Sequence, residues 1–293
     1  MRRFAELNMV GTSGRQRVPK DVFENLELEL PEDTTTQARI ASILSAVDDK
    51  MELNRKMNDT LEQIAQTFFK KYFVNDIDED NLPEGWKCGT IGELALNVRN
   101  NINQNEMKRE MKYVGLEHVP RRSIALYDFG SSEKLESNKF KFKEDDILFG
   151  KLRPYFHKVV FAPFEGICST DILVIEPREK SYFSFCLCHF SSEEIIEYAT
   201  QFSDGTRMPR INWESLSKYE IIIPPLKRAK EFNDLVSPLV KKIKEVINEM
   251  RLLSQIRDSL LPKLMSGEID VSQLLNHEQG VEMSDTTEAE LII

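Results

Sequence analysis

The sequence predicts an α+β fold in which one globular domain is flanked by two long helices that pair antiparallel as a coiled coil. Three observations predict it: two long stretches with matching heptad seams, a mixed run of short strands and helices between them, and an internal repeat at a fixed offset.

From Gln37 to Tyr72 the chain has neither proline nor glycine, and Ile40, Leu44, Val47, Met51, Asn54, Asn58, Leu61, Ala65, Phe68 and Tyr72 recur at steps of four and three. That is the spacing of a helix burying one stripe against another helix. Thr34, Thr35 or Thr36 is expected to cap its start. A first helix over residues 37–74 would span about 54 Å between Gln37 and Tyr72 at 1.5 Å per residue. Asn54 and Asn58 place amides in the seam, where polar residues fix register at some cost in stability.

The second pattern occupies residues 225–265, with Phe232, Val236, Leu239, Ile243, Val246, Met250, Leu253, Ile256 and Leu260 on its seam. Pro238 is expected to kink it. Two seams of matching length bury more easily against each other than on a small globular body; the alternative is that each helix packs on the domain's own core. Residues 266–293 are expected to add one short strand-like segment near Met265 to Val271, then an acidic, solvated, disordered tail.

Residues 85–224 open with Gly85-Trp86-Lys87 and form the complete domain. Ile147 to Phe149, Lys158 to Phe161 and Asp171 to Ile175 read as strands, while Tyr182 to His189 and Glu193 to Phe202 read as helices. The strand order does not follow from the pattern.

The repeat relates Gly11-Thr-Ser-Gly-Arg-Gln-Arg-Val-Pro19 to Gly205-Thr-Arg-Met-Pro-Arg-Ile211. Val18 and Ile211, Phe23 and Leu216, Leu26 and Tyr219, and Pro31 and Pro224 pair at one offset of 193 residues. Each copy leads through an apolar strand pattern (Leu26-Glu-Leu28-Glu-Leu30; Tyr219 to Ile223) into a long helix. The body between them occurs once, so the chain reads as one and a half units, with residues 1–36 the tail of a first domain.

The formal net charge of −10 opposes nucleic-acid binding when taken alone. Its distribution weakens that objection: residues 85–224 carry 19 basic and 20 acidic groups, whereas residues 266–293 carry 7 acidic and none basic. Cys88, Cys168, Cys186 and Cys188 lack the spacing of a disulfide framework or a metal site and read as reduced thiols, mostly core. No stretch approaches a membrane span, and the start is not followed by a signal-peptide core, so a cytoplasmic location is expected.

No phosphate-binding loop, dinucleotide fingerprint or nucleophile pair is present, and His118, His157, His189 and His277 are scattered. Asp48-Asp49-Lys50 lies on the helical pattern and reads as a solvated face. What the domain does offer is donors in loops. Lys151, Arg153, Tyr155, His157 and Lys158 follow a predicted strand around the rigid Pro154; Thr206, Arg207 and Arg210 occupy the second Gly-Thr loop; Asn97, Arg99, Asn101, Arg121 and Arg122 add amides and cations. Arg reads guanine bidentately, while Lys and Tyr hold phosphates. Each alone is an ordinary solvated residue; the case needs several loops to converge.

Ala38 to Lys70 resembles the central conserved helix of the specificity (S) subunits of type I restriction–modification systems. Gly150-Lys-Leu-Arg-Pro-Tyr155, Cys168-Ser-Thr-Asp171 and Gly205-Thr-Arg-Met-Pro209 resemble that family's target-recognition motifs, and Ser259-Leu-Leu-Pro-Lys-Leu-Met-Ser-Gly-Glu-Ile-Asp270 its C-terminal signature. The resemblance implies a non-catalytic subunit in which two recognition domains, at opposite ends of a helix pair, each read half of a split double-stranded DNA target. Heads about 50 Å apart reach major-groove segments on successive turns. It also implies that the helices are spacer and docking platform for methyltransferase (M) and restriction (R) subunits, with S-adenosylmethionine on the M subunits and no cofactor on this chain. Leu44, Val47, Met51, Asn54, Leu61, Phe68, Ile243, Met250, Leu253 and Leu260 are the spacer and docking positions so assigned, and DNA contact falls to Lys151, Arg153, Tyr155, Lys158, Thr206, Arg207, Arg210, Asn101, Arg121 and Arg122. With one complete recognition domain, the expected form is a one-headed chain or a half-subunit that pairs with a second S chain. The competing expectation is a coiled-coil assembly or decoy protein that binds M subunits without reading DNA.

Overall fold

A computed structural model describes residues 2–11, 17–27, 31–75, 77, 78, 80–108 and 110–271. Thr12 to Gln16 of the first Gly-Thr loop, Leu28 and Leu30 of the first strand pattern, and the acidic tail beyond residue 271 lie outside the described residues. The chain divides into two compact units, residues 50–254 and residues 1–49 with 255–293, the boundary falling inside both long helices.

Two short helices, α1 (Arg2–Leu7) and α2 (Lys20–Glu24), precede the first long helix, α3 (Thr34–Phe73). Its cap is Asp33: the carboxylate accepts from the Thr35 N–H at 3.2 Å and from the Thr36 N–H and hydroxyl at 2.9 and 2.8 Å. Those bonds hold the Asp33 carboxyl below its ordinary range. The three threonines expected to cap instead occupy the first turn, where their own N–H groups need the acceptor.

The domain then runs β1 (Lys87–Thr90), α4 (Ile91–Leu94), β2 (Ala95–Asn97), β3 (Asn101–Ile102), β4 (Lys112–Val114), β5 (Gly130–Ser131), β6 (Lys139–Phe142), β7 (Ile147–Gly150), β8 (Val159–Phe161), β9 (Gly166–Cys168), β10 (Ile172–Pro177), α5 (Phe183–Phe190), α6 (Glu193–Gln201), α7 (Trp213–Leu216) and β11 (Glu220–Ile223). The second long helix, α8 (Leu226–Met265), follows and continues through Pro238 without a break.

β1 pairs antiparallel with β11, Lys87 opposite Ile223, so the domain's two ends leave side by side. β2-β10-β7-β8 form an antiparallel sheet, and β3-β6-β9-β4-β5 form a second whose β4–β9 pair is parallel. The first sheet divides two cores. Ile147, Phe149, Val159, Phe161, Leu173 and Ile175 face the helices, whereas Leu148, Val160, Ile172 and Val174 face the second sheet with Val114, Phe142 and Cys168. Burial on both faces explains why these strands read as continuous apolar runs.

Inside residues 50–254 the two long helices run antiparallel. Phe73 meets Phe232 edge-on at 4.8 Å, while Lys50 pairs with Glu249 at 3.3 Å. Near the domain the seam changes character. The buried row becomes Ala65, Phe69 and Phe73, with the predicted Phe68 and Tyr72 only partly buried, because α3 there also faces Phe185 of α5. Both packing alternatives are therefore realised in this unit: the helices pair, and their domain-proximal turns belong to its core. Arg251 of α8 stacks on Phe129 at 4.5 Å, and Lys244 pairs with Glu144. In the other unit, Ile40, Leu264 and Val271 form a small core and Arg257 reaches Asp48 at 3.1 Å.

Three further expectations are corrected. Ile256, assigned to the seam, is 37% exposed, because two successive steps of three from Met250 through Leu253 leave the four-three alternation, which falls instead on the half-buried Arg257. Residues 266–271 form turns rather than a strand, and Leu26 and Glu27 are likewise outside any strand. The repeat itself is visible. Val10 and Arg17 exchange both backbone hydrogen bonds, at 2.9 and 3.0 Å, as Asp204 and Arg210 do at 2.9 Å, and α2 and α7 follow their respective loops. No helix among the described residues is long and apolar enough to cross a membrane.

Candidate nucleic-acid interface

β7 ends at Gly150, where a Cβ would meet Leu116 Cδ2 at 3.0 Å and the Lys158 carbonyl at 3.2 Å; only glycine lets the chain leave the sheet so close to its return. The loop from Lys151 to Lys158 then turns through Arg153 and His157, both left-handed at φ 51° and 50°, around a 3-10 turn at Pro154–Phe156. Backbone bonds weave it into two other segments. The Lys151 N–H donates to the Asp171 carbonyl at 3.0 Å, the Ile211 N–H to the Lys151 carbonyl at 3.1 Å, and the Arg153 N–H to the Pro209 carbonyl at 2.7 Å.

The three motif segments singled out in the sequence thus converge: 150–158, 168–171 and 205–211. Beside their meeting point lies a groove of about 410 Å³ lined by Lys151 of the first segment, Gly205, Met208 and Arg210 of the third, and Arg99, Leu173 and Trp213. Thr206, Arg207 and Met208 are exposed on its turn, and Tyr155 is 48% exposed beside it. Lys151, Arg207 and Arg99 have no ion pair among the described residues.

Other predicted contact residues are already engaged. Arg210 is held by both Asp171 carboxylate oxygens at 3.0 and 3.4 Å, which raises its pKa. Lys158 donates to the Leu116 carbonyl, and burial lowers its pKa. Arg121 stacks on Phe156 at 4.1 Å. Arg122, left-handed at φ 57° with its N–H on the His157 carbonyl at 2.8 Å, pairs with Glu193. Asn101 pairs with Phe140 in the second sheet, and no contact brings it to the groove. Of the two loop donors named in the sequence, Arg99 lines the groove and Asn101, carried into the contact set, does not; Asp171 and Glu193 were missed as partners of cations. Asp171 lies within a recognised motif, so it was discoverable; Glu193 stands 71 residues from Arg122 and carried no local signal.

A second groove, about 510 Å³, lies on the helix side of the domain between α3, residues 121–124 and the start of α6. Its floor is Glu62, which accepts from the Ser123 hydroxyl at 2.8 Å and the Ile124 N–H at 3.1 Å. Burial pushes its carboxyl up to about 7. The His157 Nε2–H donates to the Ser191 carbonyl at 2.9 Å, with Nδ1 3.6 Å from Glu193.

The assigned seam residues Met51, Asn54, Ile243 and Met250 are buried, and Leu44, Val47, Leu61, Phe68, Leu253 and Leu260 partly buried. Asn58 donates to the Tyr127 hydroxyl at 3.0 Å, whereas both polar atoms of the Asn54 amide are buried without a partner. Among the described residues no group of three or more His, Cys, Asp or Glu is placed to hold a metal ion.

A family model described as the type I restriction modification DNA specificity domain matches residues 4–63 and 83–251. The MjaIX type I restriction enzyme specificity subunit of Methanocaldococcus jannaschii is 32% identical over 272 residues, covering 85% of this chain and 62% of that protein. The HindI type I restriction enzyme specificity subunit of Haemophilus influenzae is 27% identical over 341 residues, covering 89% and 73%. The chain therefore spans less than two thirds of the length of the M. jannaschii relative. The crystal structure of the type I restriction–modification S subunit from M. genitalium matches with a TM-score of 0.51 at 18% identity, covering 89% of this chain and 68% of that one, a likeness of fold.

Proposed function

Since the chain belongs to the type I restriction–modification DNA specificity family, we propose that it is a non-catalytic, cytoplasmic subunit that reads part of a split double-stranded DNA target. In this reading residues 85–224 read the DNA, and the long helices are spacer and docking platform for M and R subunits. S-adenosylmethionine belongs to the M subunits, and a second S chain is the natural source of a second reading head.

The observation that carries the reading is the meeting of three separate segments beside a groove, which leaves Arg99 and Arg207 exposed and Lys151 half-buried, all three without ion pairs among the described residues. A nearly neutral domain can bind a polyanion where cations without ion pairs stand close together. Protein-facing docking has to use outward helix residues such as Leu53 and Leu252, 55% and 57% exposed, because the seam is enclosed within the pair.

Methylation mapping of host genomes with and without this chain tests the proposal. One motif should lose adenine methylation when the chain is removed and regain it on complementation. Co-purification with M subunits but an unchanged methylation map would contradict DNA reading and leave the assembly or decoy role.

A further inference from the structure

Four cations, Lys151, Arg153, Arg207 and Arg210, lie on or against the 204–210 turn, and they are not equivalent. Arg210 has its Nε and Nη2 on the two oxygens of Asp171, and its Nη1 is 3.5 Å from the Met208 carbonyl. Arg153 has its backbone N–H on the Pro209 carbonyl, its Nη2 on the Arg207 carbonyl at 3.4 Å, and its Nε buried without a partner. The two guanidinium groups thus grip the carbonyls of residues 207 and 208 from the inside, while the backbone bonds between Asp204 and Arg210 close the turn at its base. Gly205, at φ 95°, allows that closure. Lys151 and Arg207, by contrast, have side chains with no ion pair among the described residues.

We propose that Arg153 and Arg210, with Asp171, are positioning residues that clasp the 204–210 turn to the 150–158 loop, and that phosphate or base contact on this face falls to Lys151 and Arg207. This rests on the reading that the face meets DNA. A carboxylate-bound guanidinium is already neutralised and oriented, so its contribution is the shape of the turn that presents Arg207. Asp171 supplies a test of sign. If it merely stood near the DNA, removing its negative charge would strengthen duplex binding. As the anchor of the clasp, its removal weakens discrimination instead.

Two measurements on the full chain separate the clasp from the DNA reading. The first is trypsin cleavage at the Arg207–Met208 bond without DNA. Asp171→Asn and, independently, Arg153→Lys are expected to speed it about fivefold or more by opening the turn locally, with the global melting temperature retained. An unchanged rate in both variants overturns the clasp whether or not DNA binds. The second selects duplexes from a randomised pool with the unsubstituted chain, then titrates the enriched duplex and a scrambled one against salt. Lys151→Ala and Arg207→Ala should each flatten the slope of log K against log salt by about 0.9, the value for one lost phosphate contact. Asp171→Asn and Arg153→Lys should keep the slope and lose about tenfold in discrimination between the two duplexes. Tighter binding by Asp171→Asn with discrimination intact overturns the proposal. No enrichment by the unsubstituted chain overturns the DNA reading itself.

Discussion

The domain carries two grooves with similar ingredients and opposite use of them. On the loop face, Arg207 and Arg99 are exposed and Lys151 is half-buried, none with an ion pair among the described residues, around a turn fixed by backbone bonds. On the helix side, Arg122 is tied to Glu193, and Glu62 is enclosed beneath Ser123 and Ile124. One groove presents charge outward, and the other fastens α3 to the domain. Arginine count therefore does not distinguish the two grooves; what does is how each arginine is engaged, since Arg122 is held by Glu193 and Arg121 stacks on Phe156, whereas Arg207 and Arg99 have no ion pair among the described residues.

The largest contrast should be in stability. Phe69, 3% exposed among Phe73, Phe185 and Phe232, lies in the core that joins α3 to the domain. Phe69→Ala should cost about 3–5 kcal/mol in denaturant unfolding, whereas Tyr155→Ala on the loop face should change stability by no more than about 0.5 kcal/mol. Equal effects would erase the distinction between a fastening side and a presenting side.

Next comes pH. The folded-state pKa of Glu62 is raised from 4.5 to about 7 by desolvation. Folding therefore favours its protonated form, so this stabilisation is complete below pH 4.5 and is lost as pH rises through about 7. Unfolding between these limits should show a loss of roughly 2–3 kcal/mol with rising pH, absent in Glu62→Gln, which keeps an acceptor for the Ile124 N–H. A variant with the same pH slope as the unsubstituted chain would show that Glu62 is solvated.

A smaller effect is expected at the exposed Arg122–Glu193 pair, where Glu193→Gln should shift stability by at most about 1 kcal/mol. Duplex affinity should stay unchanged, because Arg122 lines the helix-side groove. Tighter non-specific binding would bring the released Arg122 within reach of the DNA.

Much of the architecture is legible in sequence because its signals are long or local. The helix seams repeat over ten turns, so the predicted 37–74 and 225–265 fall within a few residues of Thr34–Phe73 and Leu226–Met265. β7, β8 and β10 are legible because burial on both faces makes them unbroken apolar runs. The second sheet is not, since β3 and β5 are two-residue strands and β4 and β9 three-residue ones, too short for a period to register. At the site, the motifs locate the segments that meet, and Lys151, Arg153, Arg207 and Arg210 are on them. The division of labour among those residues is not legible, because it depends on Asp171 and Pro209, brought in from 39 and 56 residues away by sheet register and loop crossing. Nor is it legible that Arg99 and not Asn101 lines the groove: two residues apart, they share a face under strand alternation, and only the pairing of Asn101 with Phe140 separates them.

The central claim is that the free cations of the loop face, and not the paired ones of the helix side, meet the DNA phosphates. It is tested most directly by the salt dependence of duplex binding in the double variant Lys151→Ala/Arg207→Ala beside Arg122→Ala. The slope of log K against log salt should fall by about 1.8 in the double variant and stay unchanged in Arg122→Ala. A slope lost in Arg122→Ala but kept in the double variant would put the DNA on the wrong side of the domain and contradict the account.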